Sequence, residues 1–205
     1  MLYNAMHMVC LDLEGVLFPE IWIAVAESTG IDDLKLTTRD VSDYDVLMKH
    51  RISVLKEHGL RLPDIQRIIS SMRPLEGAPE FLEALRERTQ VIVLSDTFTE
   101  FARPVMRMLG WPTIFCNELV VDEEGFISGY RLRQEDGKRR AVEALRGLNF
   151  DVYAAGDSYN DLSMLKAASR GFLFRPPERI AQEHPELEVA ASYEELLRFL
   201  DPYLG

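Results

Sequence analysis

The residues best suited to chemistry are carboxylates at the ends of apolar runs. Residues 8–17 read Met-Val-Cys-Leu-Asp-Leu-Glu-Gly-Val-Leu, an apolar stretch that ends in Asp12, presents Glu14 and breaks at Gly15. A run this short reads as a buried parallel strand with its carboxyl end at a turn. If the strand stays extended, period-two geometry sends Asp12 and Glu14 out on the same side. Two acids held together repel unless a cation lies between them or one is protonated, so the pair predicts a metal site or an acid/base pair. Two further strand-like runs also end in polar groups. Residues 91–94 lead into Ser95-Asp96-Thr97, and residues 152–155 into Gly156-Asp157-Ser158-Tyr159-Asn160-Asp161. A solitary base that could reach them is Lys138, just before a helical stretch. Singly, Ser95 also reads as a helix cap, Lys138 as a surface residue, Asp157 as a turn residue and Asp161 as a helix-start acid. Together they offer a carboxylate nucleophile, a second carboxylate, a hydroxyl, a lysine and an acid pair suited to an octahedral, oxygen-liganded ion such as Mg²⁺.

For these groups to meet, their strands must share one edge, and in open α/β sheets the carboxyl edge is where ligands bind. The pattern supplies that sheet. After Gly15 the periodicity turns helical over 18–28, stopped by Gly30, and a polar connection covers 37–43. An amphipathic segment follows over 43–58, and Pro63 opens another helix through 72. Three helices in succession exceed what a simple crossover needs, so 18–74 reads as a helical insertion packed over the strand tip. Beyond it, helices are predicted over 77–88, 99–109, 141–148, 162–168 and 193–200, with another opened by Pro176-Pro177. Strands are predicted over 91–94, 113–116, 152–155, 171–174 and 188–190, with a hairpin over 119–132 turning at Glu123-Glu124-Gly125. Strands alternating with helices imply an α/β fold, a Rossmann-like parallel sheet with right-handed crossovers. The predicted division is a core of 1–17 and 75–205 carrying an α-helical cap of 18–74.

Bulk composition bounds the rest. With 205 residues, 47% hydrophobic and 28% charged, the chain suits one domain with a modest insertion and not a disordered segment. A net charge of −11 argues against nucleic acid or an anionic membrane surface as partner, yet a cation and a few placed bases allow a small anionic substrate. Cys10 and Cys116 fall in apolar runs and read as buried free thiols in a reducing compartment. The four histidines show no zinc-site spacing. There is no signal-peptide pattern and no membrane-spanning window, so the cytoplasm is expected. Residues 1–7 read either as a natural extension or as an expression scar.

The order of these motifs resembles the haloacid dehalogenase superfamily of phosphohydrolases: an apolar strand ending Asp-x-Glu at Asp12, a strand ending in Ser95, Lys138, and Gly-Asp-x-x-x-Asp at 156–161. Within it the chain is similar to the phosphoserine phosphatase group. It looks most like a bacterial branch described as phosphoserine phosphatase with phosphoserine:homoserine phosphotransferase activity, which also carries Asp-Leu-Glu-Gly-Val-Leu. The resemblance implies that Asp12 attacks phosphorus and forms an aspartyl phosphate. It makes Glu14 the acid toward the leaving alkoxide and then the base toward water or an alcohol. Mg²⁺ would be held by Asp12, Asp157 and the backbone carbonyl of Glu14. Ser95 and Lys138 would bind phosphoryl oxygens, Asn160 would orient the phosphate, and Asp161 would fix Lys138 or a metal-bound water.

By the same resemblance the cap selects the substrate, Glu20 taking its ammonium and Arg51 its carboxylate. Solvated surface positions are the plainer reading of both. Two departures stand out. Glu14 stands where the superfamily's phosphatases usually carry Asp, and Asp96 stands where close phosphatases tend to have glycine. An extra carboxylate beside the phosphoryl site would suit an incoming acceptor hydroxyl or amine, so transfer from phosphoserine to homoserine is the alternative to hydrolysis. A receiver-like signalling module shares the phosphorylatable Asp, hydroxyl and Lys, but the helical insertion and Glu14 speak against it. A homodimer is left open.

Overall fold

The computed structural model describes residues 6–37, 40–41 and 43–204. Of the N-terminal stretch, Met1 to Ala5 lie outside the described residues, while Met6 and His7 open the first strand. Thr38, Arg39 and Ser42, within the expected polar connection, also lie outside them.

Seven strands form among the described residues: β1 (Met6–Leu11), β2 (Gln90–Phe98), β3 (Thr113–Val121), β4 (Ile127–Arg131), β5 (Phe150–Gly156), β6 (Arg170–Phe174) and β7 (Glu188–Ala190). They make one sheet in the order β4-β3-β2-β1-β5-β6-β7, parallel throughout except for the antiparallel β3–β4 pair. The fold is the expected α/β class. β1 is central, with Leu11 opposite Val93 on one side and Ala155 on the other. A strand paired on both edges and covered on both faces has no polar side, which is why its sequence is a continuous apolar run.

Alternate residues of the sheet enter two separate cores. Val9, Leu11, Val93, Ala155 and Phe172 join one, and Cys10, Ile92, Leu94, Ala154 and Leu173 the other. The first is covered by α1 (Ile21–Thr29), α3 (Leu62–Ser71), α4 (Ala78–Arg86), α5 (Thr99–Met108) and α9 (Tyr193–Leu204). The second is covered by α6 (Gly137–Gly147), α7 (Leu162–Ala167) and α8 (Glu178–Glu183). Each fully buried Leu or Phe in these layers contributes roughly 1.5–3 kcal/mol. The remaining helix, α2 (Tyr44–Glu57), is capped by Asp43, whose carboxylate accepts from the Asp45 and Val46 amides. It lies against β4 and the 3-10 turn Asp32–Lys35.

Four local expectations are corrected. The strand does not stay extended through Asp12 and Glu14: β1 stops at Leu11, and the Leu17 and Phe18 amides both donate to the Leu13 carbonyl. Gly15 at φ 81° permits that tight reversal, so the two acids sit on a turn. β2 runs on past Ser95 to Phe98, because Phe98 pairs with Asn117 after a register shift. Residues 113–121 form one strand where a short strand and a separate hairpin arm were expected. α6 begins at Gly137, so Lys138 lies in its first turn and not ahead of it.

Candidate active site

The carboxyl edge of the sheet gathers the motif residues. Asp12 follows β1 and is held there by its amide, which donates to the Ala155 carbonyl at 3.0 Å. Its Oδ1 accepts from the Leu13 amide at 2.7 Å and lies 2.9 Å from Lys138 Nζ. Lys138, only 6% exposed, also reaches Asp161 Oδ1 at 2.8 Å and Asp96 Oδ2 at 3.7 Å. Asp161 is fully buried, and its Oδ2 accepts from the Asp157 amide, the Ser158 amide and the Ser158 hydroxyl, each at 3.1 Å. Ser95 is buried beside them, with Oγ accepting the Thr97 amide at 3.2 Å.

Two glycines make this density achievable. A Cβ on Gly15 would lie 2.4 Å from Asp157 Cγ, and one on Gly156 would lie 2.3 Å from Asp161 Cγ. Backbone and carboxylate therefore pack where any side chain would intrude. Asp12, Asp157 and Asp161 each offer an oxygen within 4.8 Å of the other two. Asp161 already accepts from four donors, whereas no other described residue donates to Asp12 Oδ2 or to the Asp157 carboxylate. An all-oxygen set of this kind fits a hard divalent cation.

Burial governs the electrostatics. It pushes the Asp12 carboxyl well above the ordinary range, Asp161 adds to the rise and Lys138 opposes it. Burial, helped by Glu20, lifts Glu14 up to about 7. Asp157 also rises to about 7, through burial first and then the Asp161 and Glu20 charges. For Lys138 burial works against the charge, but Asp12, Asp161 and Asp96 outweigh it and hold the ammonium well above its usual range. A buried carboxylate beside a firmly charged ammonium and a hydroxyl is equipped to receive an anionic electrophile.

Beside this floor is a chamber of about 290 Å³, bordered by Glu14, Glu20, Trp22, Arg51, Asp96 and Asn160 among others. Glu14 Oε1 accepts the Ile21 amide at 3.0 Å, which turns its carboxylate toward the start of α1. Arg51, buried on α2, donates from Nη2 to the Leu36 carbonyl at 2.8 Å, and its guanidinium stacks 4.5 Å over the Trp22 ring. Its Nε has no partner, and it makes no ion pair among the described residues. Burial lowers it to about 10. Glu20 is exposed at the rim. A second cavity, of about 860 Å³, borders Ser95, Lys138, Asp96 and Asn160 from another side. Thus Asp12, Ser95, Asp96, Lys138, Asp157 and Asp161 converge at the sheet edge, while Glu14, Glu20, Arg51 and Asn160 line the adjoining chamber. Two residues escaped the sequence reading. Trp22, the platform for Arg51, and Tyr44, which borders both cavities, carry no functional signal in the sequence.

Residues 6–169 match the family described as "Hydrolase: haloacid dehalogenase-like hydrolase". A Pseudomonas aeruginosa protein named "Phosphoserine phosphatase ThrH" is 56% identical over 193 residues, covering 94% of each chain. A Pseudomonas syringae pv. tomato protein named "Phosphoserine phosphatase" is 54% identical, covering 94% of this chain and 81% of that one. Among solved structures, "Phospho-Aspartyl Intermediate Analogue of Phosphoserine phosphatase" superposes with a TM-score of 0.78 at 22% identity, covering 98% of this chain and 100% of that one. At that identity the likeness is one of fold. No helix among the described residues is long and apolar enough to cross a membrane.

Proposed function

The chain belongs to the haloacid dehalogenase-like hydrolase family, and from that premise we propose that it is a Mg²⁺-dependent phosphatase cleaving O-phospho-L-serine to serine and phosphate. The observation that carries the reading is Arg51: a buried guanidinium without an ion pair, bordering a chamber that adjoins the Asp12–Lys138 pair. A buried cation of this kind awaits an anion, and the substrate carboxylate is one whose planar pair of oxygens suits the guanidinium fork. The names carried by the two Pseudomonas relatives agree with it.

In this reading Asp12 attacks phosphorus to form an aspartyl phosphate as the serine oxygen departs. Glu14, lifted to about 7, is poised near neutral pH between its acid and base forms, gives a proton to that oxygen and takes one back from the attacking water. Lys138 and Ser95 bind non-bridging oxygens where charge spreads, and Asn160 orients the phosphoryl group. Asp161 positions Lys138. Glu20 faces the substrate ammonium across the rim of the chamber. The helices of 18–74 act as a cap that selects this substrate, over a core of 1–17 and 75–205. Asp12 and Asp157, with the Glu14 carbonyl, are the groups that would hold Mg²⁺, in keeping with the all-oxygen donor set. The ion supplies the charge that lets an anionic nucleophile meet an anionic phosphate. Cys10 and Cys116 are both free, which fits a reducing cytoplasm.

A second reading, discharge of the phosphoenzyme by homoserine, is favoured by one observation: the Asp96 carboxylate is half exposed, borders both cavities and lies 3.7 Å from Lys138. It could accept a proton from an incoming alcohol or pair with its amine. The deciding experiment is phosphate release from O-phospho-L-serine with and without Mg²⁺ and homoserine, on the native chain and on Asp12→Asn. Release requiring both Mg²⁺ and Asp12 supports hydrolysis. Conversion of homoserine to its phosphate ester at the expense of free phosphate supports transfer. Absence of turnover under every condition refutes the phosphoserine reading.

A further inference from the structure

The two cavities at the sheet edge differ threefold in size, about 290 Å³ against about 860 Å³, and share only a few residues as walls. Tyr44 is one of them. It is the first residue of α2, fixed by the Asp43 cap and by the neighbouring Asp45, which accepts the Tyr130 hydroxyl at 2.7 Å. Its ring stands edge-on to Tyr130, 5.8 Å between centroids at 88°. Its hydroxyl lies 3.5 Å from the Asp96 carbonyl, which also accepts the Asn117 amide nitrogen at 3.0 Å. Of the four described residues that border both cavities, Tyr44, Asp96, Tyr159 and Asn160, Tyr44 alone comes from the helical segment, and a long hydrogen bond ties it to the end of β2.

The larger cavity beyond it mixes an apolar patch with charged side chains, among them Arg133, Glu135, Asp136, Lys138, Arg179 and Glu183. Leu94, Phe115, Leu132 and Ile180 border the larger cavity, and the Arg133 guanidinium stacks 5.3 Å over Phe115. Leu132 is half exposed although large and hydrophobic. The Phe115 face with the Arg133 guanidinium over it offers a seat for a further aromatic ring. Glu14 borders the small chamber only, so the leaving oxygen belongs on that side whatever the rest of the substrate does.

We propose that Tyr44 is a specificity-determining partition: it confines the leaving group to the small chamber, and the larger cavity is a latent subsite for the flat aromatic body of an aryl phosphomonoester. The proposal rests on the phosphomonoesterase reading above, and it adds which esters are refused and by what. With the partition removed, an aryl ester keeps the same bond changes. The Asp12 oxygen–phosphorus bond forms, the phosphorus–aryl oxygen bond breaks, and the aryl oxygen leaves with the Glu14 proton while its ring extends past position 44.

The test compares kcat/KM for 1-naphthyl phosphate and O-phospho-L-serine on the native chain, Tyr44→Phe and Tyr44→Ala. The expected result is a naphthyl-to-phosphoserine ratio raised about tenfold or more in Tyr44→Ala, the scale of a pocket-shape change, with Tyr44→Phe close to native. Adding Leu132→Trp to Tyr44→Ala narrows the larger cavity at one wall and should cut the gain. If Tyr44→Ala fails to fold, Tyr44→Leu, which keeps an apolar side chain at the helix start, is read in the same way. An unchanged ratio in a folded small-residue variant, or a gain that Leu132→Trp leaves intact, overturns the proposal. A gain on naphthyl phosphate in a protein that never turns over phosphoserine would refute the substrate reading and leave the partition standing.

Discussion

Asp161 and Lys138 form a buried ion pair, 2.8 Å from Oδ1 to Nζ, while the other Asp161 oxygen collects three donors from the turn after β5. One carboxylate thus fixes both the lysine and the loop that carries Asp157. Without it Lys138 keeps Asp12 as its close charge partner, but the three donors of the turn lose their buried acceptor, and breaking such a buried network typically costs several kcal/mol. Asp161→Ala is expected to destabilise the fold by about 3 kcal/mol in urea unfolding and to abolish most turnover. Asp161→Asn, which preserves much of the shape, should recover stability better than turnover, because one of the two close charges that hold Lys138 in place is gone. Equal recovery of both would show that Asp161 has only a packing role.

Arg51 offers a test of substrate choice. Lysine in its place keeps a charge but loses the planar fork and the stacking on Trp22. For Arg51→Lys we expect KM for phosphoserine to rise about tenfold or more with a smaller fall in kcat, the signature of lost ground-state binding. A phosphomonoester without a carboxylate should be hardly affected. Initial rates on both substrates check this, and an equal loss on both would remove Arg51 from carboxylate recognition.

The central strand, the α/β class, the helical segment between β1 and β2 and the convergence of Asp12, Ser95, Lys138 and Asp157 were legible in the sequence, because buried parallel strands are apolar throughout and end at Gly-marked turns. What periodicity misses is where a strand stops. Asp12 and Glu14 lie on a turn because Gly15 reverses the chain, and β2 continues past Ser95 because a register shift lets Phe98 pair with Asn117. Trp22 under Arg51 and Tyr44 beside Asp96 join residues distant in sequence. No local pattern marks such pairs, since they arise only when the helical segment is laid over the sheet edge.

The acidic cluster gives stability a pH dependence of defined sign. Glu14 and Asp157 are raised from ordinary values of 4.5 and 3.8 to about 7, so between those limits the native chain holds protons that the unfolded chain has released. Their contribution is fully present below about pH 4 and is lost as pH climbs through about 7. In metal-free protein Tm should therefore fall between about pH 5 and about pH 8. The gain in Tm from saturating MgCl2 should grow over the same interval, since a cation binds the deprotonated carboxylates. Asp157→Asn should flatten both trends. Differential scanning calorimetry with and without chelator checks this, and an Mg²⁺ increment independent of pH would contradict it.

Gly15 ties the turn to the metal site. A side chain there must adopt φ near 81°, at about 1–3 kcal/mol, and its Cβ must also displace the Asp157 carboxyl carbon 2.4 Å away. The two effects separate by comparison with Gly30, which has φ 71° and nothing within 4 Å of its would-be Cβ. Gly30→Ala should cost only the backbone strain and leave Mg²⁺ binding intact. Gly15→Ala should lose a similar amount of stability and, in addition, weaken Mg²⁺ binding by about tenfold or more, the scale seen when groups supporting a metal ligand are disturbed. Urea unfolding in chelator gives the first quantity and Mg²⁺ titration calorimetry the second. If both variants bind Mg²⁺ like the native chain, Asp157 is not a ligand, and the cation site must be sought among other carboxylates.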